Sequence, residues 1–227
     1  VVAQVRRLLG GLPPGRVAKP VKAGLRSPRT PVILRSHPSE QTQLALGFRA
    51  FGRTDPRRVA LKLASVILGE NMSSRLFRKV REARGWAYSI SSRLGLLEDT
   101  GFFAVDAGLD GERTGPGLDL ILQELARLSR EAPSRAEWRA ARDYAIGQLR
   151  IGLETPSSRM NWVGEQLLHV SRWWQPDDVE RRLAAVTPEE IQAVAQQVLR
   201  ADRSSLVLVG RAAEKFKIPE LESRVRR

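Results

Sequence analysis

The sequence predicts an α+β domain: a two-layer sandwich of one mostly antiparallel sheet backed by helices. The predicted elements are segregated along the chain, as a strand, two helices, two strands, a run of helices and a last strand. The middle two strands are joined at Glu98 and Asp99, which indicates an antiparallel hairpin. Segregated strand pairs and helix runs are typical of this class.

Local patterns place the elements of the first half. Asp55 and Pro56 are expected as the N-cap and first residue of a helix, because Asp accepts bonds from free N–H groups and Pro needs no donor there. The predicted elements are a strand at Gln41–Phe51, a helix from Asp55 to Gly69, a helix from Ser73 or Ser74 to Gly85, and strands at Trp86–Leu97 and Thr100–Leu109.

The second half is predicted to be helical up to one last strand. An amphipathic stripe is formed by Leu118, Ile121, Leu122, Leu125 and Leu128. Two capping boxes mark helix starts, Ser134 with Glu137 and Thr187 with Glu190. The other predicted elements are a helix from the first capping box to about Leu153, helices at Thr155–Val170 and Pro176–Ala184, a helix from Thr187 to about Leu199, and a strand at Ser204–Val209.

Three regions are expected along the chain. Residues 1–31 combine a short helix at Val1–Leu9 with a proline-rich linker, which we interpret as the last helix of a preceding domain and its connection. Residues 32–210 are predicted to form the α+β domain. Residues 211–227 are predicted to be a charged, partly disordered tail.

Charge and composition exclude some classes of function and leave others open. The net charge is +13, and the basic residues are mostly arginines scattered along the chain. That charge permits nucleic-acid binding, but no recognised nucleic-acid-binding motif accompanies it, so solvated helix faces are the preferred interpretation. No run of 18 apolar residues and no signal peptide is visible. We expect a soluble bacterial protein of the cytoplasm or periplasm, with the compartment unknown.

The chain offers no motif for a metal site of its own. It has no cysteine and two histidines, His37 and His169, with no H-x-x-E-H or H-E-x-x-H run. His37 is expected on the surface, and His169 with Glu165 does not make a site. Asp99 opens a Asp-Thr-Gly triplet, but aspartic-peptidase chemistry needs two paired aspartates, so it is interpreted as a turn residue. No metal ligand is therefore predicted in this chain.

The junction between the second helix and its following strand carries the candidate site residues, Arg81 and Tyr88. From the residues alone, each has two interpretations. Arg81 is either a solvated helix-end arginine or a guanidinium that binds peptide carbonyls. Tyr88 is either a core tyrosine or a surface hydroxyl that binds the backbone carbonyls of a peptide. The nearby Arg84 is interpreted as a capping or surface residue. Trp173 and Trp174 are either an interface patch or core.

The motifs of this region resemble the C-terminal domain of the M16 metallopeptidases, which include pitrilysin, insulysin and the mitochondrial processing peptidase. The resemblance covers nearly the whole chain apart from the tail. It is carried by Leu68–Phe77, Val80–Glu82, Arg84–Ser89, Glu98–Gly101, Thr155–Arg159, Val186–Glu189 and Val207–Gly210.

This resemblance implies the substrate-binding half of a zinc metallopeptidase that cleaves extended peptides. Arg81 and Tyr88 then match the substrate-binding Arg and Tyr of the family. Zinc would be held by an N-terminal domain or partner subunit with an H-x-x-E-H motif, in a homo- or heterodimer, and this chain alone would be inactive. The alternative is a non-catalytic scaffold or interaction subunit of the same fold.

Overall fold

The fold is known from a computed structural model, which describes residues 1–13, 15, 21–23, 32–169 and 174–226. Its five strands form one sheet in the order β1-β5-β2-β4-β3. The strands are β1 (Val32–Arg35), β2 (Gln41–Ala50), β3 (Ala87–Leu96), β4 (Gly101–Asp110) and β5 (Ser204–Val209). Only β1 and β5 pair in parallel among them. The predicted α+β sandwich with a mostly antiparallel sheet is therefore confirmed.

Eight α-helices are found in the described residues. They are α1 (Val2–Leu9), α2 (Arg58–Gly69), α3 (Thr114–Arg130), α4 (Arg135–Gly152), α5 (Pro156–His169), α6 (Pro176–Ala185), α7 (Pro188–Val198) and α8 (Ile218–Arg226). A π-helix at Phe77–Glu82 and 3-10 helices at Ala201–Arg203 and Arg211–Lys215 complete the fold. Both predicted capping boxes are present, at α4 and α7.

The core lies between one face of the sheet and the helices. Alternate residues of β2 are buried, and among them Leu44, Leu46 and Phe48 are at most 4% exposed. These meet apolar side chains of α2, α3 and α7, which are also fully buried. Burying apolar side chains on one sheet face and one helix stripe provides most of the driving force for such a fold.

Helix α2 approaches the edge strand β3 unusually closely, because both elements carry small side chains there. A Cβ at Gly69 would lie 2.5 Å from the backbone N of Ser92. The Ser92 hydroxyl donates to the Ser65 carbonyl at 2.8 Å, and the two serine hydroxyls are 3.1 Å apart. This close packing holds β3, and with it the junction before β3, against the helical layer.

The structure differs from the sequence predictions at several places. Strand β1 was not predicted, because four residues have little pattern of their own and their partner β5 lies far along the chain. The helix after Asp55 begins at Arg58 instead, since Asp55 Oδ1 accepts from Arg57 N at 2.9 Å and the first bonds are of 3-10 type. Most of the predicted linker lies outside the described residues, and so does Val170, the predicted end of one helix.

The expectation of a disordered tail was wrong for residues 211–226. Helix α8 buries Leu221 and Val225, four residues apart on one helix face, at 0% and 7% exposure. Arg224 Nη1 donates to both oxygens of Asp119, at 2.9 and 2.8 Å. The high charge of this segment concealed the short apolar stripe that attaches it to the domain.

Candidate functional site

The candidate site lies at the turn that connects the π-helix to β3. Gly85 has φ of +64°, a left-handed conformation that glycine adopts without strain. Its N–H donates to the Arg81 carbonyl at 2.9 Å, and the Trp86 N–H donates to the Val80 carbonyl at 3.0 Å. Val80 is fully buried and fixes the turn to the core. The predicted helix stop at Gly85 is thus a left-handed C-terminal turn.

Two ion pairs with a buried member hold this segment in place. Arg75, only 8% exposed, donates from Nε to Glu137 Oε1 at 2.7 Å and from Nη2 to Oε2 at 3.1 Å. Lys79 pairs with Glu124 of α3, whose side chain is 5% exposed. Burial alone would raise the pKa of Glu137, but hydrogen bonds from Arg75 and from Ser134 lower that pKa to about 2. The segment before Arg81 is therefore fixed to both α3 and α4.

The helix itself is a π-helix rather than the α-helix that the pattern predicted. The Ala83 N–H donates to the Arg78 carbonyl, five residues back, at 2.9 Å. A π-helix changes the direction in which the residues after it point, compared with an α-helix of the same sequence. The orientation of Arg81 could therefore not be taken from helical spacing.

Tyr88 is the extra residue of a β-bulge at the start of β3. Ala87 lies opposite Leu109 and Ser89 lies opposite Gly108, so Tyr88 has no partner on β4. Bulges change the direction of side chains at the ends of sheets. Tyr88 is 74% exposed, and its hydroxyl makes no hydrogen bond with the described residues. The core alternative for this tyrosine is thereby ruled out.

The ring of Tyr88 borders an open cleft of about 620 Å³. The cleft lies where the start of β3, the end of β4 and the 3-10 helix after β5 meet. Its walls carry charges of both signs, from Glu40, Asp110, Glu112, Arg211 and Lys215. Polar, open walls of this type suit the backbone and polar side chains of a peptide better than an apolar ligand. Sequence reasoning did not find these residues, because three distant segments supply them.

Arg81 is exposed, and its guanidinium lies over the ring of Phe77, 4.9 Å from the centroid. It makes no ion pair or side-chain hydrogen bond with the described residues. Arg81 does not border the cleft at Tyr88. The structure thus places both predicted site residues at the surface, on the two sides of one turn, and brings only Tyr88 to the cleft.

Arg84, which lies between Arg81 and Tyr88 in the sequence, has a structural role. Its Nη1 donates to the Lys79 carbonyl at 2.9 Å, and its guanidinium lies 5.3 Å from the Trp86 ring centroid. A side-chain donor on a free carbonyl near a helix end is a C-terminal capping contact. The prediction that Arg84 is a capping or surface residue agrees with this contact.

The described residues contain no group of three His, Cys, Asp or Glu side chains that could hold a metal ion. His37 is exposed, as predicted, and the side chain of His169 lies outside the described residues. Asp99 accepts from the Ala23 N–H at 2.7 Å in the hairpin turn. The described residues thus do not offer the donor set that zinc prefers.

Comparison with known proteins decides the family. The family profile described as the peptidase M16 inactive domain matches residues 1–144. The chain belongs to the M16 peptidase family. An uncharacterized zinc protease of Streptomyces coelicolor is 35% identical over 221 residues, which cover 95% of this chain and 48% of that protein. Another, of Mycobacterium tuberculosis, is 35% identical over 194 residues, 86% of this chain and 44% of that protein.

The M16 domain described here also resembles solved structures. A peptidase M16 inactive domain from Pseudomonas fluorescens superposes with a TM-score of 0.82 at 24% identity, covering 92% of this chain and 50% of the other. At 24% identity, this similarity shows that the two chains share a fold and nothing more. The chain spans about half the length of the curated relatives that it matches. No helix in the described ranges is long and apolar enough to cross a membrane.

Proposed function

We propose that this M16 domain is the substrate-binding half of a zinc metallopeptidase that cleaves extended peptides. The match of residues 1–144 to the M16 inactive domain carries the proposal. The relatives named zinc proteases are about twice as long as this chain, which leaves room in them for a second domain. The zinc site would belong to such a domain or to a partner subunit, and its metal would polarise the scissile carbonyl and activate water.

Arg81 would bind the peptide backbone. A guanidinium presents five N–H donors in a rigid planar arrangement, which suits carbonyl and carboxylate oxygens. The guanidinium of Arg81 has no ion-pair partner among the described residues, and its stacking on Phe77 limits its motion. A peptide carbonyl therefore need not displace an internal acid to reach it, and little side-chain entropy remains to be lost on binding.

Tyr88 would donate its hydroxyl proton to the carbonyl oxygen of the scissile peptide or to a neighbouring carbonyl. Tyr88 borders the cleft at the bulge, and its hydroxyl has no hydrogen bond to give up within the described residues. A donor that is free in the absence of substrate and positioned by the backbone stabilises developing negative charge without reorganisation. The ion pair between the buried Arg75 and the half-buried Glu137, together with the close packing of Gly69, would keep this geometry rigid.

The test is steady-state kinetics on the full-length protein, with its zinc domain or partner, using an unstructured peptide substrate. Tyr88→Phe should lower kcat by about 10²-fold, as expected for removal of one such donor. Arg81→Ala should raise KM by about 10-fold through loss of a charged hydrogen bond. Bound zinc should remain unchanged in both variants.

Matched controls come from the same chain. Tyr144 is the other tyrosine, and its hydroxyl donates to the Glu70 carbonyl at 3.2 Å. Tyr144→Phe should leave kcat and KM within about twofold, as should Arg78→Ala in the same π-helix. Unchanged kinetics in Tyr88→Phe and Arg81→Ala would contradict the assignment of these residues. If neither the full-length protein nor its partner carries an H-x-x-E-H motif, the peptidase proposal itself fails and the scaffold alternative replaces it.

A further inference from the structure

A second cavity lies at the opposite end of β3 from the cleft at Tyr88. It is partly open to solvent, has a volume of about 560 Å³ and is bordered by α2, the end of β3, α4, α5 and α6. It shares no bordering residue with the cleft at Tyr88. Most of its wall is apolar and includes Leu94, Leu149 and Leu183. Its size and apolar lining are typical of small-molecule sites, which also contain a few converging polar groups.

The polar groups that converge on this cavity are mainly arginines. Arg53, Arg58 and Arg182 border it, and all three are half-buried. Burial is the largest cause that lowers the pKa of Arg58, followed by repulsion from Arg182 and Arg53. Like charges that repel each other in a partly desolvated site are unfavourable without a counter-ion.

Within the described residues, no carboxylate forms an ion pair with any of these three guanidiniums. Arg53 donates to the Leu96 carbonyl at 3.2 and 3.4 Å, and Arg182 stacks on Trp174, 3.5 Å from the ring centroid. Arg58 makes no ion pair or side-chain hydrogen bond with the described residues. Glu165 is the single carboxylate among the described residues of the wall, and it is exposed and forms no ion pair with them.

Two tryptophans form an aromatic part of the wall. The side chain of Gln166, which is 8% exposed, fixes Trp174 by accepting from its backbone N–H at 2.7 Å and donating to its carbonyl at 3.1 Å. Trp162 also borders the cavity, and its indole N–H is buried without an acceptor. Trp174, for which the sequence left an interface patch and core as alternatives, is half-buried and borders this cavity, while Trp173 lies outside the described residues.

We propose that this cavity binds a small organic anion that has a carboxylate or phosphate head and an apolar body. The head would lie among Arg53, Arg58 and Arg182, where guanidiniums bind such oxygens bidentately and offset one another's repulsion. The body would lie against the leucines and the two indoles, which offer apolar and stacking surface. The site is separate from the proposed peptide-binding residues and does not depend on their function.

The test measures binding of three probes to the full-length protein by titration calorimetry. Decanoate and decyl phosphate carry the two possible heads on one apolar chain, and decanol is the uncharged control. We expect at least one anionic probe to bind saturably at one site per chain. Decanol should bind at least about 10-fold more weakly than that probe. Whichever anionic probe binds more tightly identifies the head as carboxylate or phosphate.

Variants locate the site. Arg58→Gln and Arg182→Gln should each weaken binding of the preferred anionic probe by about 10-fold or more. The control is Arg181→Gln, because Arg181 is the sequence neighbour of Arg182, lies exposed and pairs with Asp178 instead. Thermal unfolding identifies any variant that does not fold. A change in wild-type tryptophan fluorescence on adding the probe supplies a second measure of binding, because Trp162 and Trp174 border the cavity.

Three results would overturn the proposal: no saturable binding of either anionic probe at millimolar concentration, decanol binding as tight as decanoate, or an equal loss of affinity in Arg181→Gln. A failure here would leave the peptide-cleavage kinetics of Tyr88→Phe unaffected, so the two proposals are tested independently.

Discussion

Replacing Glu137 by glutamine should destabilise the domain far more than the same change at a comparable glutamate. Glu137 accepts two bonds from Arg75 and, through Oε2, one from the Ser134 N–H at 3.1 Å. Glutamine can still close the capping box, because an amide oxygen also accepts from a backbone N–H. What Glu137→Gln removes is the negative charge beside a guanidinium that is 8% exposed.

The expected cost is about 2 kcal/mol. Breaking a fully buried pair by removing one partner costs about 3–5 kcal/mol. The carboxylate of Glu137 is 37% exposed, so water screens part of the interaction and the larger figure does not apply. The remaining amide oxygen also keeps one bond to Arg75. A loss of about 2 kcal/mol should lower the melting temperature by roughly 4–8 °C in a chain of this size.

Urea unfolding at pH 7, followed by circular dichroism, measures this cost, with Glu190→Gln as the matched control. Glu190 is the third residue of α7 and closes the capping box with Thr187, at 2.8 Å and 3.2 Å, but makes no ion pair with any described residue. Its replacement should change the free energy of unfolding by less than about 0.5 kcal/mol. Equal effects of the two replacements would show that Arg75 gains nothing from the charge and would refute the reasoning.

The remaining predictions concern pH and three glycines. The folded pKa of Glu137 is about 2, below its ordinary 4.5, so its contribution to the free energy of unfolding is complete above about pH 4.5 and is lost as pH falls toward 2. The free energies of unfolding of wild type and Glu137→Gln, measured by urea unfolding at a series of pH values, should therefore converge over that range. A difference that stays constant with pH would contradict this. Gly85→Ala should lower the free energy of unfolding by about 1 kcal/mol, because an alanine is strained at the positive φ of this position. Gly147→Ala should raise it by roughly 0.5–1 kcal/mol in the same urea assay, because Gly147 lies in a helix and no atom lies near the new Cβ. Gly69→Ala should cost about 1–3 kcal/mol, because its Cβ would lie 2.5 Å from the Ser92 backbone; a neutral effect would mean that α2 moves freely on β3.

Elements with local signals were predictable from the sequence. The hairpin formed within one residue of its predicted bounds, because alternating side chains and a short polar turn are sufficient to define two paired strands. The helices that open at Ser134 and Thr187 begin where expected, since a capping box is a contact between a side chain and a backbone three residues away. Both the hairpin pattern and the capping box depend only on residues that are close together in the sequence.

Elements with distant partners were not predictable. The strand at Val32–Arg35 exists because it pairs with β5, about 170 residues later. The helix at Ile218–Arg226 exists because Leu221 finds a place in the core and Arg224 finds Asp119. Neither segment carries enough local pattern to be distinguished from a loop or a tail.

The candidate site divides in the same way. Arg81 and Tyr88 could be named from the motifs around Gly85, and their assignment as substrate-binding residues remains a prediction. Their directions could not be read from the sequence, since a π-helix precedes one and a bulge contains the other. The three-residue spacing between the buried Ala87 and Ile90 was the available signal for that bulge, because an unbroken strand buries every second residue.

The sequence by itself determined the family, the fold class and the identity of the residues at the junction, because these depend on residue types at short spacings. Only the tertiary structure decided which side chains share a cavity. Arg182 is separated from Arg53 and Arg58 by more than half of the chain, yet all three border one space against two indoles. Such convergence results from packing α2, β3 and α6 around the same core, and packing contacts between distant segments leave no periodicity in the sequence.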